Sequence, residues 1–367
     1  MTGPPRVRWL LPGELAAVGV LGGGLFTLTG LSVIWVLGGV LGAWLACRIA
    51  RATHAAAEPS ANVRKLGQLL VGAAIGPTIA TQTLSVSTGQ LALLLGGVAA
   101  ILLGSLVVAR CYAAFGGVDG LTAGMATLPG GIGIMPSVAA EYGKPVGLVA
   151  IVQSFRMTLV LLVALALVAG AETDPAGAVT DEPEFLPATG VRWLYLAGLL
   201  GGSFVAAWLA KKARVPVPTL LGPLLYGCAL SLSLRGLGAD PTLLGAPLAQ
   251  EIVGQALLGI TIGEYLAQRY TDGLSRLLGG LAGVMATCGL ALLIALGMST
   301  VGSWSPLAAF LMVAPGGAPE MVVIAAAVSG DGLAFVLAAQ TGRQVAVNLL
   351  MPLWITLFTR FDNPRRS

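Results

Sequence analysis

Long apolar runs, separated by short basic or Gly-rich breaks, organise the chain. They fall at about 9 to 29, 33 to 50, 67 to 86, 89 to 109 and 147 to 169, then at 192 to 210, 217 to 234, 250 to 268, 277 to 298 and 335 to 358. At about 1.5 Å rise per residue, runs of this length match a hydrocarbon core of about 30 Å. The alternation over about ten residues that marks a barrel strand does not appear. The pattern predicts an all-α, polytopic helical membrane protein. Two further apolar stretches, about 118 to 141 and 305 to 329, are each interrupted by Pro-Gly-Gly. Proline removes a backbone donor, and glycine costs a helix interior about 1 kcal/mol, so each stretch should be a broken, re-entrant segment.

The pattern also repeats. Gly67-Gln68 through Gly72 and Gly76 matches Gly254-Gln255 through Gly259 and Gly263 at an offset of 187, and Pro129-Gly130-Gly131 with Met135 matches Pro315-Gly316-Gly317 with Met321 at 186. Gln153 and Arg156 match Gln340 and Arg343 at 187, and Leu37-Gly38 matches Leu221-Gly222 at 184. Four matches in order at a nearly constant offset indicate a duplication. The expected division is a first membrane repeat over 1–170, an exposed acidic linker over 171–190 and a second membrane repeat over 191–367. The linker, AETDPAGAVTDEPEFLPATG, has five acidic residues, three prolines and no basic one.

Composition agrees with a lipid environment: 56% of residues are hydrophobic, 10% are charged and the mean hydropathy is +0.89. The net charge of +4 is a topology signal here, because the basic residues sit in short loops. If each half has five crossings plus a re-entrant segment, the loop lysines and arginines fall on the cytoplasmic side except Arg192 and Arg235. An odd number of crossings turns the second repeat upside down relative to the first, with both termini cytoplasmic and the linker outside. Inverted-topology repeats of this kind place a binding site near the bilayer midplane at the repeat interface.

The candidate chemistry is polar and non-catalytic. His54 stands alone, and Cys47, Cys111, Cys228 and Cys288 form no CxxC pair, so no metal site, disulfide framework or cofactor is indicated, and the cysteines read as buried thiols. Phosphate-binding and hydrolytic motifs are missing as well, so the chain is not expected to be an enzyme.

Arg156 and Arg343 lie about ten residues into their spans. A central arginine costs about 2.5–3.5 kcal/mol on insertion scales and needs a partner or a wet cavity. Gln153 and Gln340, three residues earlier, share the same helix faces. The two guanidiniums could clamp an oxyanion, or each could tie off carbonyls freed by the Pro-Gly-Gly breaks. Glu320 beside the second break has Ile134 as its counterpart. It could pair with an arginine or serve proton or sodium coupling. Glu264, near a helix end beside Arg269, reads as interfacial. The Gly-x-x-x-Gly pairs 72/76 and 259/263 have the spacing of close helix packing.

The duplicated PGGxxxM followed by QxxR, with GQxLxGxxIG upstream in each half, resembles the AbrB family of duplicated bacterial membrane proteins over nearly the whole chain. The resemblance implies a helical membrane protein of the bacterial inner (plasma) membrane, of a family often labelled a transcriptional regulator and sometimes an ammonia monooxygenase. It singles out Pro129, Gly130, Gly131, Met135, Gln153, Arg156, Pro315, Gly316, Gly317, Met321, Gln340 and Arg343, and brings no substrate with it. The expected function is secondary transport of a small solute, anionic if the guanidiniums clamp it. Its site would combine both breaks (Pro129, Gly130, Gly131, Pro315, Gly316, Gly317) with Gln153, Arg156, Gln340, Arg343 and Glu320. The partners would be the lipid bilayer and the solute, without direct contact with nucleic acid. The alternative is a membrane-embedded regulator or sensor that uses the same pocket and affects gene expression indirectly.

Overall fold

The computed structural model describes residues 10–30, 32–52, 61–80, 87–129, 135–170, 184–268, 273–302, 304–328 and 332–361. These form helices joined by short loops, with no strand among them, so the all-α expectation holds. The helices are α1 (Leu10–Thr29), α2 (Ile34–Ala52), α3 (Ala61–Ala80), α4 (Thr88–Phe115), α5 (Gly120–Thr127), α6 (Met135–Glu141), α7 (Val146–Gly170) and α8 (Gly190–Lys212). There follow α9 (Pro218–Gly236), α10 (Leu248–Leu266), α11 (Leu274–Val301), α12 (Pro306–Val313), α13 (Ala318–Val328), α14 (Leu333–Leu349) and α15 (Met351–Thr359).

By length and composition, α4, α7, α8 and α11 can each cross a membrane, and the bent pair α14 and α15 makes a fifth such element. Their surfaces suit lipid. On α4, Leu94, Ile101 and Ser105 turn inward at helical spacing while Leu95, Leu103 and Val107 stay exposed. The other anticipated spans also appear as helices, but they are shorter or more polar. α10, for example, carries Gln250, Glu251, Gln255, Thr261 and Glu264 within 19 residues.

The chain divides into two compact units, each taking segments from both halves of the sequence. The first unit comprises Met1–Leu84, Gly170–Glu264 and Val323–Leu333. Its packing is reciprocal. A Cβ at Gly72 or Gly76 on α3 would run into the carbonyls of Leu220 or Leu224 on α9. A Cβ at Gly259 or Gly263 on α10 would likewise run into those of Val36 or Val40 on α2. Glycine is required at all four because backbone meets backbone. The hairpins match too: Gly38 of α2 lies on Gly22 of α1, and Gly222 of α9 lies on Ala206 of α8. The expectation that the GxxxG pairs serve packing is thereby met.

The second unit comprises Ser85–Ala169, Tyr265–Val322 and Ala334–Ser367. α4 opens with a reciprocal cap in which Ser87 and Gln90 exchange side-chain-to-backbone hydrogen bonds. Tyr112 of α4 donates to the carbonyl of Arg276 at the start of α11 at 2.7 Å. Leu121, Met125, Leu128, Val152, Val284, Val347 and Phe358 share one core. The half-helix α5 contributes to this core, and both half-helices are buried: every residue of 120–127 and of 307–313 is inside the protein.

Three expectations are refined. The run 335 to 358 is two helices, α14 and α15, bent by 65°, with Pro352 in the first turn of α15, where its missing N–H costs no helical bond. Glu264 is buried rather than interfacial, and Cys111 is exposed although Cys47 and Cys288 are buried. Residues 171–183 of the acidic linker and His54 lie outside the described residues.

Candidate functional site

Both breaks follow from local sequence. Asp119 caps α5 by accepting from Thr122 N–H, and Ser305 caps α12 by accepting from Ala308 N–H. Each half-helix then stops at the residue before a proline, where the α conformation is disfavoured. Leu128, before Pro129, has φ −61° and ψ 127°, and Ala314, before Pro315, has φ −52° and ψ 130°. The last carbonyls of both half-helices therefore lose their helical partners inside a protein core, where an unmet carbonyl costs about 1–3 kcal/mol.

The QxxR pairs meet that need, and both copies do so in the same register. Gln153 on α7 donates from Nε2 to Met125 O at 2.6 Å and Leu128 O at 3.3 Å, and Arg156 donates from one terminal nitrogen to Thr127 O at 3.3 Å and Leu128 O at 2.8 Å. Gln340 on α14 donates to Leu311 O at 2.6 Å and Ala314 O at 3.3 Å, and Arg343 to Val313 O at 3.5 Å and Ala314 O at 2.5 Å. Every acceptor in the second set stands 186 residues beyond its counterpart in the first. Arg343 also donates to Gly316 O at 2.9 Å and to Gln340 Oε1.

The structural-tie reading of the arginines is therefore present in full. All four side chains are deeply buried, Arg156 at 1% exposed and Arg343 at 4%. The two copies also meet. Met157 and Val160, on the helix that carries Arg156, lie against Gly317 and Gly316 of the second break.

Glu320, 2% exposed, folds back over Gly317. Pro129, Pro315, Gly316 and Gly317 thus gather in this unit with Gln153, Arg156, Gln340, Arg343 and Glu320, while Gly130 and Gly131 lie outside the described residues. The copies differ in what remains unspent. Among the described residues, Arg156 Nε and Gln153 Oε1 have no hydrogen-bond partner. No group of three or more His, Cys, Asp or Glu able to hold a metal occurs among the described residues.

Sequence reasoning passed over two further carboxylates. Glu14, 3% exposed on α1, accepts from the Cys47 thiol at 3.4 Å. Glu251, in the first turn of α10, lines a cavity in the first unit. An acid inside a candidate span is itself the signal that could have flagged each.

Residues 14–359 match the family model described as "Transition state regulatory protein AbrB". The chain is similar to the "Uncharacterized protein YhjN" of Bacillus subtilis (strain 168), at 28% identity over 96% of this chain and 94% of that protein. It is also similar to the "Putative regulator AbrB" of Escherichia coli (strain K12), at 27% identity over 82% of this chain and 83% of that protein. No solved structure matches the chain.

Proposed function

Because the chain belongs to the AbrB family, whose resemblance its paired breaks first suggested, we propose that it is a secondary transporter of a small anionic solute. The carrying observation is the doubled tie. Two half-helices end inside one unit, and a Gln-Arg pair from the matching repeat holds the terminal carbonyls of each. Irregular backbone at membrane depth survives only where it is buried in protein or lines a cavity, and broken helices of this kind are the ion and solute sites of secondary transporters.

The charge balance supports an anion. Two buried guanidiniums stand beside one buried carboxylate, Glu320, so with that group ionised the site keeps a net positive charge. Arg156 Nε, unspent among the described residues, supplies a donor, and Gln153 Oε1 supplies an acceptor for a solute hydroxyl or ammonium. Glu320 is the group to which a proton or sodium ion would be coupled.

The reciprocal contacts of α3 with α9 and of α10 with α2 support two repeats related by a two-fold. That symmetry, with the basic-loop count, supports an inverted repeat with both termini cytoplasmic, in a protein of the inner membrane. Regulation, which the name of the Escherichia coli relative carries, would then be an indirect consequence of solute movement.

Uptake into proteoliposomes tests the reading. Saturable uptake driven by a proton or sodium gradient should be lost in Arg156→Gln and Arg343→Gln. Folded protein that moves no small anion or amino acid under any gradient would refute it.

A further inference from the structure

The first unit holds a cavity of about 90 Å³ beneath α10, several times the space of about 10–15 Å³ that one water needs. Glu251, Gln255, Ser32 and Thr78 supply its polar groups, and apolar walls that include Val71 and Ile75 supply the rest. Among the described residues, no lysine or arginine lines it. Gln255 is 3% exposed, and its Oε1 has no hydrogen-bond partner among the described residues.

The duplication explains why this acceptor is unspent. Gln68, the first-half counterpart of Gln255, accepts a hydrogen bond from the Thr219 hydroxyl of α9. The residue of α2 that matches Thr219 at the offset of 184 is Trp35, which has no hydroxyl to offer. Glu251 in turn occupies the position that Arg64 holds in the first half. The second half has therefore exchanged a cation for a carboxylate and left an amide oxygen facing the same space.

We propose that this cavity binds a small protonated primary amine. The ammonium carries three N–H donors: the Glu251 carboxylate would neutralise its charge and take one, Gln255 Oε1 a second, and the Ser32 or Thr78 hydroxyl the third. The apolar wall accommodates a short alkyl substituent, the combination expected of a pocket that is mostly apolar with a few placed polar groups. A carboxylate ligand is disfavoured because it would face Glu251 with no cation among the described lining residues. The site is independent of the anion site proposed for the second unit.

Thermal stabilisation of the purified full chain in nanodiscs, titrated with ethylammonium and propylammonium chloride and with sodium, potassium and tetramethylammonium chloride at matched ionic strength, tests this. The primary ammonium ions should raise Tm saturably. Binding should weaken at least tenfold in Glu251→Gln and several-fold in Gln255→Leu, and persist in Arg343→Gln. Should Glu251→Gln fail to fold, Ala74→Leu, which fills the cavity from α3, should abolish the response while leaving the protein folded. A response to sodium alone, equal responses to all cations, or an amine response that survives both Glu251→Gln and Ala74→Leu would overturn the proposal.

Discussion

Gln340 and Arg343, one turn apart on α14, hydrogen-bond to each other and between them hold the carbonyls of Leu311, Ala314 and Gly316. Replacing Arg343 by Gln strips two of these carbonyls of a charged donor in a buried setting. Hydrogen bonds to charged groups contribute about 1.5–3 kcal/mol each, and orphaned carbonyls add their own cost. Arg343→Gln should therefore lower stability by about 2–5 kcal/mol, and Arg343→Lys should recover little of it, since a single ammonium cannot span the acceptors of a planar fork. Thermal unfolding in nanodiscs measures both. A variant as stable as wild type would mean the tie is not structural.

The glycines offer an internal contrast. A Cβ at Gly259 would strike the Val36 carbonyl and lie 2.9 Å from Cα of Gly39, whereas nothing lies within 4 Å of one at Gly201 in α8. Gly259→Ala should lower Tm by several degrees or prevent folding, while Gly201→Ala should be neutral or stabilising by up to about 1 kcal/mol through helix propensity. Equal effects at the two positions would contradict the close approach of α10 to α2.

A third prediction concerns pH. Asp119 caps α5, accepts from the Thr122 N–H and hydroxyl, and pairs with Lys144 at 2.9 Å. Burial pushes its pKa up, but the Thr122 bonds and Lys144 outweigh it and hold the carboxyl below the usual range. A carboxyl depressed in the folded state stabilises above its unfolded pKa of about 3.9, and that stability is lost as pH falls through the folded value. Asp119→Asn keeps a cap while removing the charge. It should be less stable than wild type at neutral pH, with the gap closing below about pH 4. A gap that does not depend on pH would show that the charge contributes nothing.

The helices were legible because apolar runs of spanning length carry their own signal. α7, α8 and α11 stand within three residues of the runs read from sequence, and both Pro-Gly-Gly stretches are broken near their prolines. The QxxR pairs were legible as a polar stripe because three-residue spacing puts them on one helix face. What remained hidden depends on tertiary contact. The interleaving of the two halves into each unit rests on Gly72 meeting Leu220 and Gly259 meeting Val36, partners separated by well over a hundred residues. The cavity at Gln255 was hidden for the same reason. In sequence Gln255 and Gln68 look equivalent, and only the hydroxyl of Thr219 on a distant helix separates the satisfied amide from the unspent one.

Transport itself is the central claim. Uptake of labelled small anions and amino acids into proteoliposomes, with and without imposed proton and sodium gradients, should be saturable and gradient-dependent in the wild type. It should fall at least tenfold in Arg156→Gln at matched folded protein. Uptake that matches empty liposomes under every gradient, from protein shown to be folded, would contradict the account.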